Sequence, residues 1–393
     1  MKKVSRKLTC TILSMSLLTV MAGAAIAPAL GVIRQHFAST PSIVVQLIIS
    51  IPALSIIIAN LCFTLLCQHM RTRAIATIGL ALYVAAGAGC FFVDNLTTLL
   101  IFRVTLGFSV GMIMPLSTGL LAFYYPPDEQ ASLMGLAAAM NQLGGVVATL
   151  LAGILASVSW NYAFLVYIIG VIAIVLVLLY LPNEQLTRPD TENKRTKIEN
   201  LRRFHPSVTG MLLLMTLFFV FPTNFAVTTH NVTVLSTNTI TFLMVGLDVI
   251  AFFIGLVFGW LMIPFRRSMK YFAPIGFGLG YACLAFGLTV PWLVAGCALI
   301  GIATGVGVPY LNTIASIKGG KDAAMTVMPL LSASLYLGQF LSPLVVTPLA
   351  NTCFNAEIQG PYKIALFVAA LYLLQVFLTR RFQSLPPIHT KTT

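Results

Sequence analysis

Charge is what this chain has least of. Only 8% of its 393 residues are charged, and Asp and Glu together number ten. Soluble domains carry roughly a quarter charged residues, so this chain cannot cover a water-facing surface. That excludes a soluble enzyme, a nucleic-acid binder and a disordered chain. The seven cysteines are odd in number and scattered, with no CxxC pair and no Cys/His cluster. Neither a disulfide framework nor a zinc site fits that pattern; small apolar packing residues do. There is also no HExxH, no pair of intramembrane aspartates and no Ser/His constellation on an apolar stretch. A membrane-embedded enzyme therefore finds no support, and no metal or other cofactor is implied.

What the chain has in excess is apolar residues, 58% of the total, with a mean hydropathy of +0.95. Crossing the hydrocarbon takes ~20 apolar residues in a helix. The runs predict helices near 8–33, 43–67, 74–93, 97–124, 131–155, 161–181, 207–230, 238–264, 271–290, 292–316, 323–350 and 362–379. They are continuous and show no dyad alternation, which selects helices over a barrel. The expected fold is an all-α integral membrane protein with twelve transmembrane helices.

The formal charge of +13 tests this count. With the N-terminus inside, the cytoplasmic side receives Lys2, Lys3, Arg6, Lys7, Arg71, Arg73, six basic residues from Arg188 to Arg203, Arg266, Arg267, Lys270, Lys318, Lys321, Arg380, Arg381 and Lys391. Outside lie Arg34 and Lys363, and Arg103 falls within a helix. Such asymmetry is the positive-inside pattern. It predicts a multi-pass protein of the cell membrane with both termini cytoplasmic and no nucleic-acid partner. Residues Lys2 to Lys7, followed by an apolar run and Ala-Gly-Ala-Ala-Ile-Ala, also look like a cleavable leader. The apolar run is too long for that and has a counterpart in the second half, so it reads as the first span.

Residues 182–206 concentrate charge of both signs, from Glu184 to Arg203. They divide residues 1–181 from residues 207–393 as a solvated cytoplasmic linker. The two halves repeat each other at an offset of 194: Pro28 with Pro222, Gly107, Gly111 and Pro115 with Gly301, Gly305 and Pro309, and Leu143-Gly144 with Leu337-Gly338. Thr64 and Gly259 differ by 195. The prediction is two pseudo-symmetric six-helix bundles related by an axis normal to the membrane, with a substrate site between them near the midplane.

Ionisable groups in hydrocarbon cost at least ~2.5 kcal/mol each, so every one is a functional candidate. Asp248 is the sole acid well inside a span, about ten residues into the eighth helix. A carboxyl at that depth suits reversible protonation or substrate contact; it also fits an acid held charged by a neighbour or facing a polar cavity passively. Arg103 stays protonated and needs a carbonyl, a water or an acid; Asp248 and the substrate are the available ionic partners, and backbone carbonyls the alternative. Asn141, Gln142, Tyr336, Gln339, Asn224 and Asn312 line a cavity or join helices. Gly144, Gly145, Gly338 and Pro343 read as packing and hinge positions with the repeated glycines and prolines.

These residues resemble the major facilitator superfamily, and within it the twelve-helix drug:proton antiporter-like branch. Arg103 with Gly107 and Gly111 is similar to its fourth-helix R-x-x-x-G motif, Asn141 through Gly153 to its glycine-rich fifth-helix motif, and Gly338-Gln339-Phe-Leu-Ser-Pro343 to its eleventh-helix segment. The resemblance implies alternating access by two rocking halves, often proton-driven. The family's loop pattern after the second helix departs here, with Gln68 in place of its acid and Thr64 in place of its glycine, and Ile263 leaves the second-half counterpart without an acid as well. Coupling would then run through Asp248 or a residue such as His230. The expected function is proton-coupled efflux of a small amphipathic or drug-like compound by a monomer in the bilayer. The alternative is a uniporter or proton symporter for a sugar, amino acid or related metabolite.

Overall fold

The computed structural model describes residues 5–26, 33, 36, 42–156, 158–186, 194–232, 237–266, 268–287, 289–320, 323–355 and 357–379. Pro28, Arg34, the side chain of His230, and the basic residues Lys2, Lys3, Arg188, Arg267, Lys321, Arg380, Arg381 and Lys391 lie outside the described residues. Every element among the described residues is helical. The long helices are α1 (Arg6–Ala24), α2 (Ser42–His69), α3 (Thr72–Gly89), α4 (Leu96–Tyr124), α5 (Pro127–Ala156) and α6 (Gly170–Tyr180), the last led in by a tighter 3₁₀ turn over Trp160–Ile169. The second six are α7 (Lys194–Val232), α8 (Thr237–Phe265), α9 (Met269–Phe286), α10 (Val290–Gly319), α11 (Ala323–Leu341) and α12 (Gly360–Leu378). Eleven segments among the described residues are long and apolar enough to cross a bilayer. Helix α9, 18 residues long and carrying Lys270 in its first turn, is the one long helix not among them.

The boundaries follow local chemistry. Helix α5 starts four residues earlier than its apolar run, because Pro127 suits the first helical position and Asp128 and Glu129 complement the helix dipole in the first turn. Helix α7 starts at Lys194, well before the predicted residue 207. Lys, Arg, Glu and Leu between residues 194 and 203 are good helix formers in water, and Pro206 does not end the helix. After α11, residues Ser342–Val346 form a wider π turn around Pro343 before the helix resumes at Thr347–Cys353. Proline has no N–H to close the regular turn there.

The duplication is visible in the packing. Helix α1 lies on α4 and α5 as α7 lies on α10 and α11; α2 and α3 flank α4 as α8 and α9 flank α10; α3 meets α6 as α9 meets α12. Between the halves, α5 packs on α8 and α10, and α11 packs on α2 and α4. Each contact has its partner six helices on.

Glycine makes these contacts close. A Cβ on Gly107 would lie 2.5 Å from the Pro52 carbonyl of α2, and one on Gly301 2.7 Å from the Leu247 carbonyl of α8. Pro52 and Leu247 are themselves 195 apart. Gly111 meets Ile56 and Ala59, while Gly305 meets Ala251 and Ile254. Gly144 sits on the Leu17 carbonyl of α1 as Gly338 sits on the Leu212 carbonyl of α7. Without a hydrophobic force between helices in lipid, such small-residue approaches carry association. Gly107, Gly111, Gly144, Gly301, Gly305 and Gly338 are therefore packing positions.

A control is built in, because a Cβ on Gly246 would meet nothing within 4 Å. Gly338→Ala is expected to destabilise the detergent-solubilised protein by ~1–3 kcal/mol, the usual cost of overpacking. Gly246→Ala is expected to leave the thermal unfolding midpoint unchanged or slightly raised. Scanning fluorimetry of both variants checks the pair.

Candidate functional site between the two halves

Asp248 lies eleven residues into α8, roughly 17 Å along a helix of about 43 Å at ~1.5 Å per residue. It is half-buried, and Gln142 Nε2 of α5 donates to its Oδ1 at 3.4 Å. The sequence nominates these two residues separately; the fold brings them together. The bond crosses from one half to the other, since α5 and α8 belong to different six-helix units. The contact sets a carboxyl oxygen against an amide donor at the seam between the halves.

The neighbouring Asn141 turns the other way. Its Oδ1 accepts from Thr19 Oγ1 of α1 at 3.1 Å. Gly144 and Gly145 share that face, meeting Leu17 and Val20 of α1. Residues one apart on a helix point about 100° apart, so α5 presents Asn141 within its own half and Gln142 across the interface.

Arg103 sits in different surroundings from Asp248. It is fully buried, at 0% exposure. Its Nε donates to the Ile48 carbonyl of α2 at 2.8 Å, Nη2 to the Ala22 carbonyl of α1 at 2.9 Å, and Nη1 to the Tyr167 hydroxyl at 2.8 Å. Tyr167 in turn donates to the Ala22 carbonyl at 2.9 Å. Tyr83, edge-on to Tyr167, donates to the Leu18 carbonyl at 3.1 Å. Of the partners that the sequence leaves open for Arg103, the fold selects backbone carbonyls: α1, α2, α4 and the 3₁₀ lead-in of α6 are tied together by one guanidinium. An Arg103–Asp248 ion pair, one of those alternatives, does not form, because all three kinds of guanidinium nitrogen already point into the first half.

Tyr167 escaped the sequence reading, although a signal was present. Tyr362 lies 195 residues on and stacks with Tyr281, which donates to the Leu217 carbonyl. The repeat carries the tyrosines into the second half, but the position matching Arg103 there is Cys297.

The other candidates divide. Tyr336 on α11 is buried, Gln339 and Asn312 are half-buried, and Asn224 donates to the Val220 carbonyl and to Thr223 Oγ1 on its own helix. Pro115 and Pro309 are buried inside α4 and α10, whereas Pro222 and Pro343 are exposed. The loop after α2 is held by the exit of α6: Arg73 Nε donates to the Leu181 carbonyl at 2.8 Å, Thr72 Oγ1 to Pro182 at 2.7 Å, and Gln185 to Gln68 at 3.0 Å.

Replacing Arg103 by Met keeps its length and removes all its donors, leaving buried carbonyls of α1 and α2 to be satisfied otherwise. The expected cost is upwards of ~3 kcal/mol, read as a lower unfolding midpoint in detergent. Arg103→Lys is expected to rescue little, since an ammonium lacks the planar fork that reaches three partners.

The chain is 24% identical over 341 residues to the quinolone resistance protein NorA of Staphylococcus aureus, covering 80% of this chain and 82% of that protein. It is 29% identical over 126 residues to the multidrug transporter protein MdtP of Bacillus subtilis, a match to 32% of this chain and only 23% of MdtP. In three dimensions it superposes on the human organic anion transporter MFSD10 with a TM-score of 0.80 and 17% identity, over 95% of this chain and 99% of the other. Residues 12–343 match the Major Facilitator Superfamily model, and together with the duplicated twelve-helix fold this establishes that the chain belongs to that family of transporters.

Proposed function

We propose that the protein is a proton-coupled exporter of a small amphipathic, cationic or drug-like compound, working by alternating access in the cell membrane. The observation that carries this reading is the Asp248–Gln142 contact, a half-buried carboxylate in mid-span bonded across the interface between the halves. In the proposed cycle Asp248 takes a proton from outside or holds a cationic substrate, and the two are mutually exclusive. Rocking of the halves separates α5 from α8 and moves the carboxyl from one side to the other. Gln142 donates to the ionised form and so helps keep it ready for the next ligand. Arg103 takes no direct part; it makes the first half a stiff body that rocks as a unit. The basic end of the bundle, carrying Arg71, Arg73, Arg203 and Lys318, faces the cytoplasm by the positive-inside rule. The efflux reading draws further support from the similarity to NorA across most of both chains.

Inside-out vesicles test the reading with a lipophilic cationic dye as probe. An acid interior is expected to drive dye uptake, and Asp248→Asn to reduce that gradient-driven flux ~100-fold or more, the scale on which an essential proton-transfer group acts. Asp248→Glu is expected to restore part of it. Flux indifferent to the imposed gradient, or full coupling in Asp248→Asn, would overturn the assignment; counterflow persisting without any gradient would favour a uniporter.

A further inference from the structure

Beneath the Asp248–Gln142 pair, towards the basic end, the halves are pressed together. A Cβ on Gly135 of α5 would lie 2.6 Å from the Gly255 carbonyl of α8, and one on Gly259 2.7 Å from Ser132. One turn nearer the basic end sits Gln130, 3% exposed, in the first turns of α5. Its Nε2 donates to the carbonyls of Ala122 at 3.1 Å and Tyr125 at 2.8 Å, both at the end of α4. Its Oε1 accepts from Ser316 Oγ of α10 at 2.6 Å, and Ser316 is 0% exposed.

The chemistry leaves one orientation for this amide. Two carbonyls accept from the nitrogen, so the oxygen must face Ser316, whose hydroxyl then donates. The first half thus holds Gln130 rigidly with its acceptor aimed at the second half. When the halves part, the Ser316 hydroxyl has a ready substitute in the carbonyl one turn back on its own helix. The Gln130 oxygen has water. The bridge is short and buried when closed, and inexpensive to break once water enters.

We propose that Gln130 is a positioning residue for transport: its bridge to Ser316 holds the two halves together at the basic end and sets the population of the state closed there. Because the pair is neutral, closure at this point needs neither an ion pair nor a proton. The inference rests on the alternating-access reading.

Two spin-label pairs read it in a background with the native cysteines replaced. Arg71 with Ser268 spans the halves at the basic end, and Asp94 with Thr289 at the opposite end; all four are exposed. Ser316→Ala leaves both bonds of Gln130 to α4 intact and removes only the bridge. It is expected to lengthen the Arg71–Ser268 distance in a larger share of molecules, lowering the closed-to-open ratio about fivefold, the effect of one hydrogen bond, and to shorten the Asp94–Thr289 distance in the same share. Gly135→Ala, which sets a methyl against the Gly255 carbonyl, is expected to shift both distances the same way without touching the bridge. Wild-type distances in Ser316→Ala, with Gly135→Ala shifted, would overturn the role of Gln130 and leave alternating access standing. Distances unmoved in both variants and by pH or the cationic dye would overturn alternating access itself.

Discussion

A bilayer interior offers no hydrogen bonds, and every polar group that enters it must be answered by the protein. The helices of this chain are the first consequence, since each satisfies its own backbone. Arg103 shows the same rule at a single side chain: one guanidinium is tolerable at 0% exposure because two backbone carbonyls and a tyrosine hydroxyl converge on it. Those carbonyls come from α1 and α2, so the demand of one charge fixes the relative placement of much of the first half. Close approach is the second consequence. With lipid as apolar as leucine, helices associate through close packing and interhelical hydrogen bonds, and glycines at matching heights on α4, α5, α10 and α11 let backbones touch.

Duplication distributes these contacts evenly, but the chemistry is not symmetric. Arg103 in the first half is matched by Cys297 in the second, and the Arg103–Tyr167 cluster by a pair of stacked tyrosines, Tyr281 and Tyr362. Asp248 occupies the second half, while its amide partner Gln142 comes from the first. A cross-bonded pair at the seam responds to relative motion of the halves in a way that a pair within one half does not. On the proposed reading it is therefore the acid at the interface, and not the more deeply buried arginine, that couples motion to ligand exchange.

Apolar runs, the near-constant 194-residue offset and the lone mid-span acid could all be read from the residue string, because each depends on composition and spacing along one chain. The all-helical, two-unit transporter fold stands in the structure as those patterns imply, and the repeated glycines lie at close helix approaches. Reading failed where a partner is distant or local structure overrides hydropathy. Helix α7 begins inside the charged segment because charged residues are good helix formers in water. Tyr167 was overlooked because a tyrosine in an apolar run resembles any other core aromatic until its hydroxyl is seen at Arg103.

The sequence alone thus determined that this is a duplicated helical membrane protein with one acid in mid-span, since hydrophobicity, charge asymmetry and repeats are properties of order along the chain. Tertiary structure alone decided who meets whom. It gave Arg103 to carbonyls and Tyr167, gave Asn141 to α1, and set Gln142 against Asp248 and Gln130 against Ser316 across the seam. Direction on a helix turns by about 100° per residue, and a one-residue difference between Asn141 and Gln142 separates a bond within a half from a bond between halves.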